Sequence, residues 1–139
     1  MSRRLPPIWR ARATIHCLVA PPLVHVIALP RLVRGWVGGT LRGIDPTVDD
    51  DSIVEWVDRL LRWLPLPWET TCLKRSLVLF GLFRHAGRPA DLIIGVRRAS
   101  DRKLEAHAWL ERDGNLCYEP DRNPVKGYQA IDRYAGQTP

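Results

Sequence analysis

Between residues 49 and 64 the sequence DDDSIVEWVDRLLRWL places apolar side chains at 53, 54, 56, 57, 60, 61 and 64, the spacing of one helix face. Asp49, Asp50 and Asp51 stand at its head, where acidic groups complement the positive end of a helix. Pro65 and Pro67 then bar continuation of the hydrogen-bond ladder. A second helix is predicted from an N-cap at Thr70 or Thr71 to about Arg84, with Gly87 placed for a left-handed cap and Pro89 to stop the chain. After it the period changes. ADLIIGVRRA, KLEAHAWLE and NLCYEP read as short strands separated by SD and RDG turns. The residues from Pro120 onward read as loop with one closing turn or strand. Helix, helix and then an antiparallel meander make an α+β arrangement, N-terminal helices packed on a small antiparallel sheet.

Composition sets the scale. The 139 residues, 45% hydrophobic and 26% charged, suffice for one modest core. The net charge of +6 is unevenly placed. Residues 1–44 hold seven arginines (Arg3, Arg4, Arg10, Arg12, Arg31, Arg34 and Arg42) and no acid, leaving 14 basic and 15 acidic residues in 45–139. The expected organisation is therefore a basic N-terminal docking segment over 1–44 and a near-neutral domain over 45–139. A basic segment suits nucleic acid, an acidic membrane surface or an acidic partner. No Lys/Arg run is interleaved with stacking aromatics, so nucleic acid is not the expected partner. ATIHCLVAPPLVHVIALP lacks formal charge, but two histidines and an internal Pro-Pro argue against a signal peptide or a membrane span. A cytoplasmic protein is expected, with membrane association left open. Cys17, Cys72 and Cys117 are odd in number and widely spaced, which fits a reducing compartment rather than a disulfide framework or zinc site.

Chemistry concentrates on two of these positions. Cys72 falls in the first turn of the predicted second helix, where backbone N–H groups and the helix dipole favour a thiolate. Its own amide would face the oxyanion formed when that sulfur attacks a carbonyl. The competing reading is a packed thiol, since free cysteine is commonly buried. A nucleophilic cysteine needs a histidine partner, itself oriented by a third group. His16 and His25 lie in the N-terminal segment and His85 at a helix end, whereas His107 sits mid-strand. A three-residue hairpin loop, Arg112-Asp113-Gly114, pairs Glu111 with Asn115 and sets Glu119 opposite His107; a two-residue Asp113-Gly114 loop puts Glu119 on the other face. Asp121 is the reserve acid, on the face of Glu119. In the three-residue register Cys117 also joins that face, as a spectator. Trp56, Trp63 and Trp68 are expected in the core. Gly95, inside a strand, signals a close approach.

With these residues in place, Thr71 to Gly114 resembles the transglutaminase-like cysteine peptidases of lasso-peptide biosynthesis. The matching features are the Cys-Leu-x-Arg helix start (Cys72, Leu73, Arg75), the helix ending before Gly87, the LIIGVRR strand with Gly95, and HAWLERDG from His107. The resemblance implies a papain- or transglutaminase-like fold in which Cys72 is the nucleophile and His107 the base. It places the acid, usually Asp in that family, at Glu119. It further implies removal of a leader from a ribosomally made precursor peptide, with a separate leader-recognition protein as partner and the macrocycle-forming enzyme downstream. No metal or other cofactor is expected, and no Walker-type phosphate loop is present. The alternatives are a non-catalytic interaction module on the same scaffold, or an acyl transferase in which an amine replaces water.

Overall fold

The computed structural model describes residues 4–23, 28–37, 48–63, 72–98, 100–117 and 127–135. Four helices, α1 (Pro7–Leu23), α2 (Leu29–Val37), α3 (Asp50–Trp63) and α4 (Cys72–His85), precede four strands. The strands are β1 (Asp91–Arg98), β2 (Leu104–Arg112), β3 (Asn115–Cys117) and β4 (Gln129–Tyr134). They form one antiparallel sheet in the order β3-β2-β1-β4. The α+β class is as expected, and α3, α4 and the first three strands fall where periodicity puts them.

Residues before 45 carry two helices that the sequence reading did not predict. In α1, Trp9, Ala13 and Cys17 recur every four residues and are buried. They meet Ile53, Val57 and Leu61, the equivalent stripe of α3. Pro7 suits the first helical position, and the helix ends at Leu23, just after Pro21 and Pro22, which lack the N–H groups to carry the ladder on. Neither helix of the N-terminal region, nor any other described one, is long and apolar enough to cross a membrane.

The central element is α4, which packs on α1, α3 and β2. From Leu77 to Phe83 it is buried all round, as a helix without a polar face must be. It closes as predicted. Gly87 takes a positive φ of 78°, its N–H donates to Arg84 O (3.1 Å), and Arg88 N–H donates to Phe83 O (3.0 Å).

Two expectations are corrected. Trp63 is 83% exposed at the last position of α3, where the helix has run past the core; Trp56 is half-buried and Trp68 lies outside the described residues. The hairpin between β2 and β3 has the two-residue loop. Leu110 pairs with Cys117, Glu111 with Leu116 and Arg112 with Asn115. Asp113 and Gly114 both have positive φ, 53° and 78°, the signature of a type I′ turn whose twist matches the strands it joins.

Candidate active site

The two faces of the sheet differ. Leu92, Ala108 and Leu110 belong to the helix-covered core, with Ile94, Cys117 and Tyr134 packed against it. The alternate residues, Ile93, Gly95, His107, Trp109 and Glu111, share the opposite face, as the register Ile93↔Trp109 and Gly95↔His107 requires. Cys117 is thereby on the core face, away from His107. This corrects the expectation drawn from the three-residue loop.

His107 is half-buried in an aromatic cluster. The Trp109 ring stacks beside it, centroids 5.8 Å apart at 25°, and the Tyr128 ring tilts against it at 5.3 Å. Trp109 and Tyr128 lie 6.4 Å apart, so the three rings close a triangle. Trp109 is only 3% exposed, and its Nε1–H donates to Glu111 Oε1 (3.4 Å). Arg97 places its guanidinium 4.6 Å over Tyr128 while its Nε donates to Glu105 Oε2 (2.7 Å). Tyr128 was not identified from sequence. No apolar alternation marks the strand that follows it, and the local signal is the turn residue Gly127, at φ 88°.

The main chain of Cys72 is the first residue of α4; its side chain lies outside the described part. Two contacts fix that end of the helix. Arg75, buried, holds Asp58 of α3 through both oxygens, Nε to Oδ1 at 2.6 Å and Nη2 to Oδ2 at 3.2 Å. The arginine of the Cys-Leu-x-Arg start is thus an anchor. Ser76 Oγ donates to Ala108 O (3.2 Å), the residue after His107. A strand carbonyl lies near the sheet plane, so the helix touches the β2 backbone itself. Position 72 is one turn before Ser76, about 6 Å along the axis at 1.5 Å per residue. The fold therefore brings the start of α4 to β2 at Ala108, on the helix-covered face, while the side chain of the neighbouring His107 lies on the other face of the sheet. Glu119 and Asp121 lie outside the described residues. The observed register no longer sets Glu119 opposite His107, so its candidacy stands on the resemblance alone.

The other two thiols are poor nucleophiles. Cys17 is fully buried and its thiol is pushed up to about 12, first by burial and then by the charge of Asp58. Burial also raises the Cys117 thiol. Among the described residues no group of three or more His, Cys, Asp or Glu is arranged to hold a metal ion. A family model, that of the transglutaminase-like superfamily, matches residues 29–133. No curated protein and no solved structure matches the chain.

Proposed function

This chain belongs to the transglutaminase-like superfamily, and from that membership we propose that it is a cysteine peptidase with Cys72 as nucleophile, His107 as base and Glu119 as the acid that orients the imidazole. The observation that carries the reading is the family match together with the order of the residues on it, Cys72 first in a helix that packs on β2 and His107 within β2; the Ser76 bond to Ala108 ties that helix to the strand, on the face opposite the His107 side chain. Supporting it is the aromatic triangle, which fixes the imidazole plane and keeps water from one side of it.

In this mechanism the Cys72 thiolate, stabilised by the α4 N-terminus, adds to the carbonyl carbon of the scissile peptide bond. The oxygen takes up the displaced electron pair and is held by the Cys72 amide. Collapse breaks the C–N bond as His107 imidazolium gives its proton to the leaving amine. Water, losing a proton to His107, then attacks the thioester and releases the acid and the thiolate. Glu119 accepts the other imidazole N–H throughout, with Asp121 the reserve for that role. An amine in place of water would make the same residues an acyl transferase.

The substrate of this proposal is the leader–core junction of a lasso precursor peptide, presented by a separate leader-recognition protein. The test is mass spectrometry of a precursor peptide incubated with that partner and the wild-type, Cys72→Ala, His107→Ala, Glu119→Gln or Asp121→Asn protein. Cleavage at one bond by wild type, abolished in the first two variants and reduced about 10²–10⁴-fold in one acid variant, is expected. Iodoacetamide at mildly acidic pH gives an independent readout. Cys72 should be alkylated far faster than Cys17 or Cys117, whose thiols burial raises. Equal slow labelling of all three, with no cleavage, would leave the scaffold as an interaction module.

A further inference from the structure

Away from the sheet, the start of α1 and the outer side of α3 enclose a cavity of about 360 Å³. Among the described residues Arg4, Arg10 and Arg59 line it against a single carboxylate, Glu55, and Leu5 and Trp56 supply apolar wall. Glu55 and Arg59 pair only loosely, at 3.5 Å and with both side chains more than half exposed. Arg10 lays its guanidinium 5.4 Å from the centre of the Trp56 ring, and its Nε is buried with no hydrogen-bond acceptor among the described residues. That nitrogen is closed off from solvent, but the same side chain lines the open cavity, where a nearby carboxylate would offset the cost of burying its charge.

We propose that this cavity binds an acidic side chain of a peptide, its carboxylate taken by Arg10 with Arg4 and Arg59. Three cations against one anion leave an excess of positive charge suited to a carboxylate. Glu55 can still accept a backbone N–H of the ligand through a remaining lone pair. The volume points the same way, because it lies in the lower part of the range of about 300–1,000 Å³ typical of ligand pockets and exceeds what a lone inorganic anion fills. Trp56 and Leu5 would cover the methylenes of the bound residue. The site is independent of the peptidase chemistry and gives the basic N-terminal region a specific ligand.

The test is fluorescence anisotropy of a labelled Gly-Glu-Leu-Glu-Gly peptide titrated with the full chain, beside its Gln-for-Glu counterpart. The Glu peptide should bind, and its Gln counterpart should bind about tenfold or more weakly. Arg10→Gln and Arg59→Gln should each weaken binding by about tenfold, while Arg62→Gln, exposed on the same helix outside the cavity, should not. If Arg10→Gln fails to fold, the exposed Arg59 carries the test. Equal binding of the two peptides, no binding of either, or equal loss in Arg59→Gln and Arg62→Gln would overturn the proposal. So would binding of inorganic phosphate in calorimetry with none of the peptide, which would make this a simple oxyanion site.

Discussion

Gly95 lacks a side chain where the indole of Trp109 needs the space. A Cβ built there would lie 2.5 Å from Trp109 Cη2, 2.7 Å from Cζ3 and 3.2 Å from Gln129 O, so the outer edge of the indole fills the space over the glycine and the β4 backbone closes the gap. That ring is also the one stacked on His107. Gly95→Ala is therefore expected to destabilise by about 1–3 kcal/mol, the cost of overpacking a filled site. Under the proposed peptidase mechanism it should also lower kcat/KM by tilting the imidazole. Urea unfolding checks the first effect, and the double variant Gly95→Ala/Trp109→Leu separates the cause. With the indole gone, the added methyl should cost well under half as much as in the wild-type background. The glycine's need for close approach was legible in the sequence, and which group approaches was not, because Trp109 reaches Gly95 only through the diagonal Gly95↔His107, Ile93↔Trp109 register.

Among elements, the β2–β3 hairpin shows where local sequence stops deciding. Asp113-Gly114 is compatible with either a two-residue type I′ loop or the end of a three-residue loop. The choice rests on Arg112, which is held from outside the hairpin. Its Nη1 donates to Asp50 Oδ2 (2.6 Å), its Nη2 to Arg88 O (2.7 Å), and its guanidinium lies 5.2 Å from the centre of the Phe83 ring. Tethered there, Arg112 stays in the ladder opposite Asn115, and the turn must be made by the next two residues. Gly114→Ala, forced to a φ of 78°, should lose about 1–2 kcal/mol by thermal or urea unfolding. Asp113→Gly should be nearly neutral. A result with the opposite order would mean that the turn is not type I′ in solution. A related limit explains why α1 was missed. The outer face of α1 carries exposed Ile8, Ile15, Leu18 and Val19, so its sequence shows little contrast between core and solvent sides. In β4 every residue except Tyr134 is exposed, which erases the apolar alternation by which strands are read. By contrast α3 has both an apolar stripe and an acidic head, and its limits were legible to within a residue.

At the scale of the whole molecule, Asp50 is the point at which the helical layer and the sheet are tied together. Read along the chain it belongs to an acidic cluster at a helix start; in the fold it is buried between two arginines from distant elements. Arg88, just after α4, donates from Nε to Oδ1 (2.9 Å) and from Nη2 to Val48 O (2.7 Å). Arg112, at the end of β2, takes Oδ2. One carboxylate thus fixes the start of α3 relative to the end of α4 and the sheet, while Asp58 and Arg75 join the same two helices near the start of α4. Both ends of α4, whose first residue is Cys72, are thereby pinned. Asp50→Asn keeps the shape and removes the charge, leaving two partly buried cations poorly compensated. The expected loss is about 2–4 kcal/mol, below that of a fully buried pair because each arginine retains some exposure. Removing the exposed Arg97–Glu105 pair by Arg97→Gln should cost no more than about 1 kcal/mol. Urea unfolding followed by far-ultraviolet circular dichroism and tryptophan fluorescence distinguishes a global tie from a local one. If Asp50 joins the layers, both signals should shift together to lower urea in Asp50→Asn. A shift in fluorescence alone would confine its role to the hairpin end, and a loss no larger than that of Arg97→Gln would remove the tie altogether.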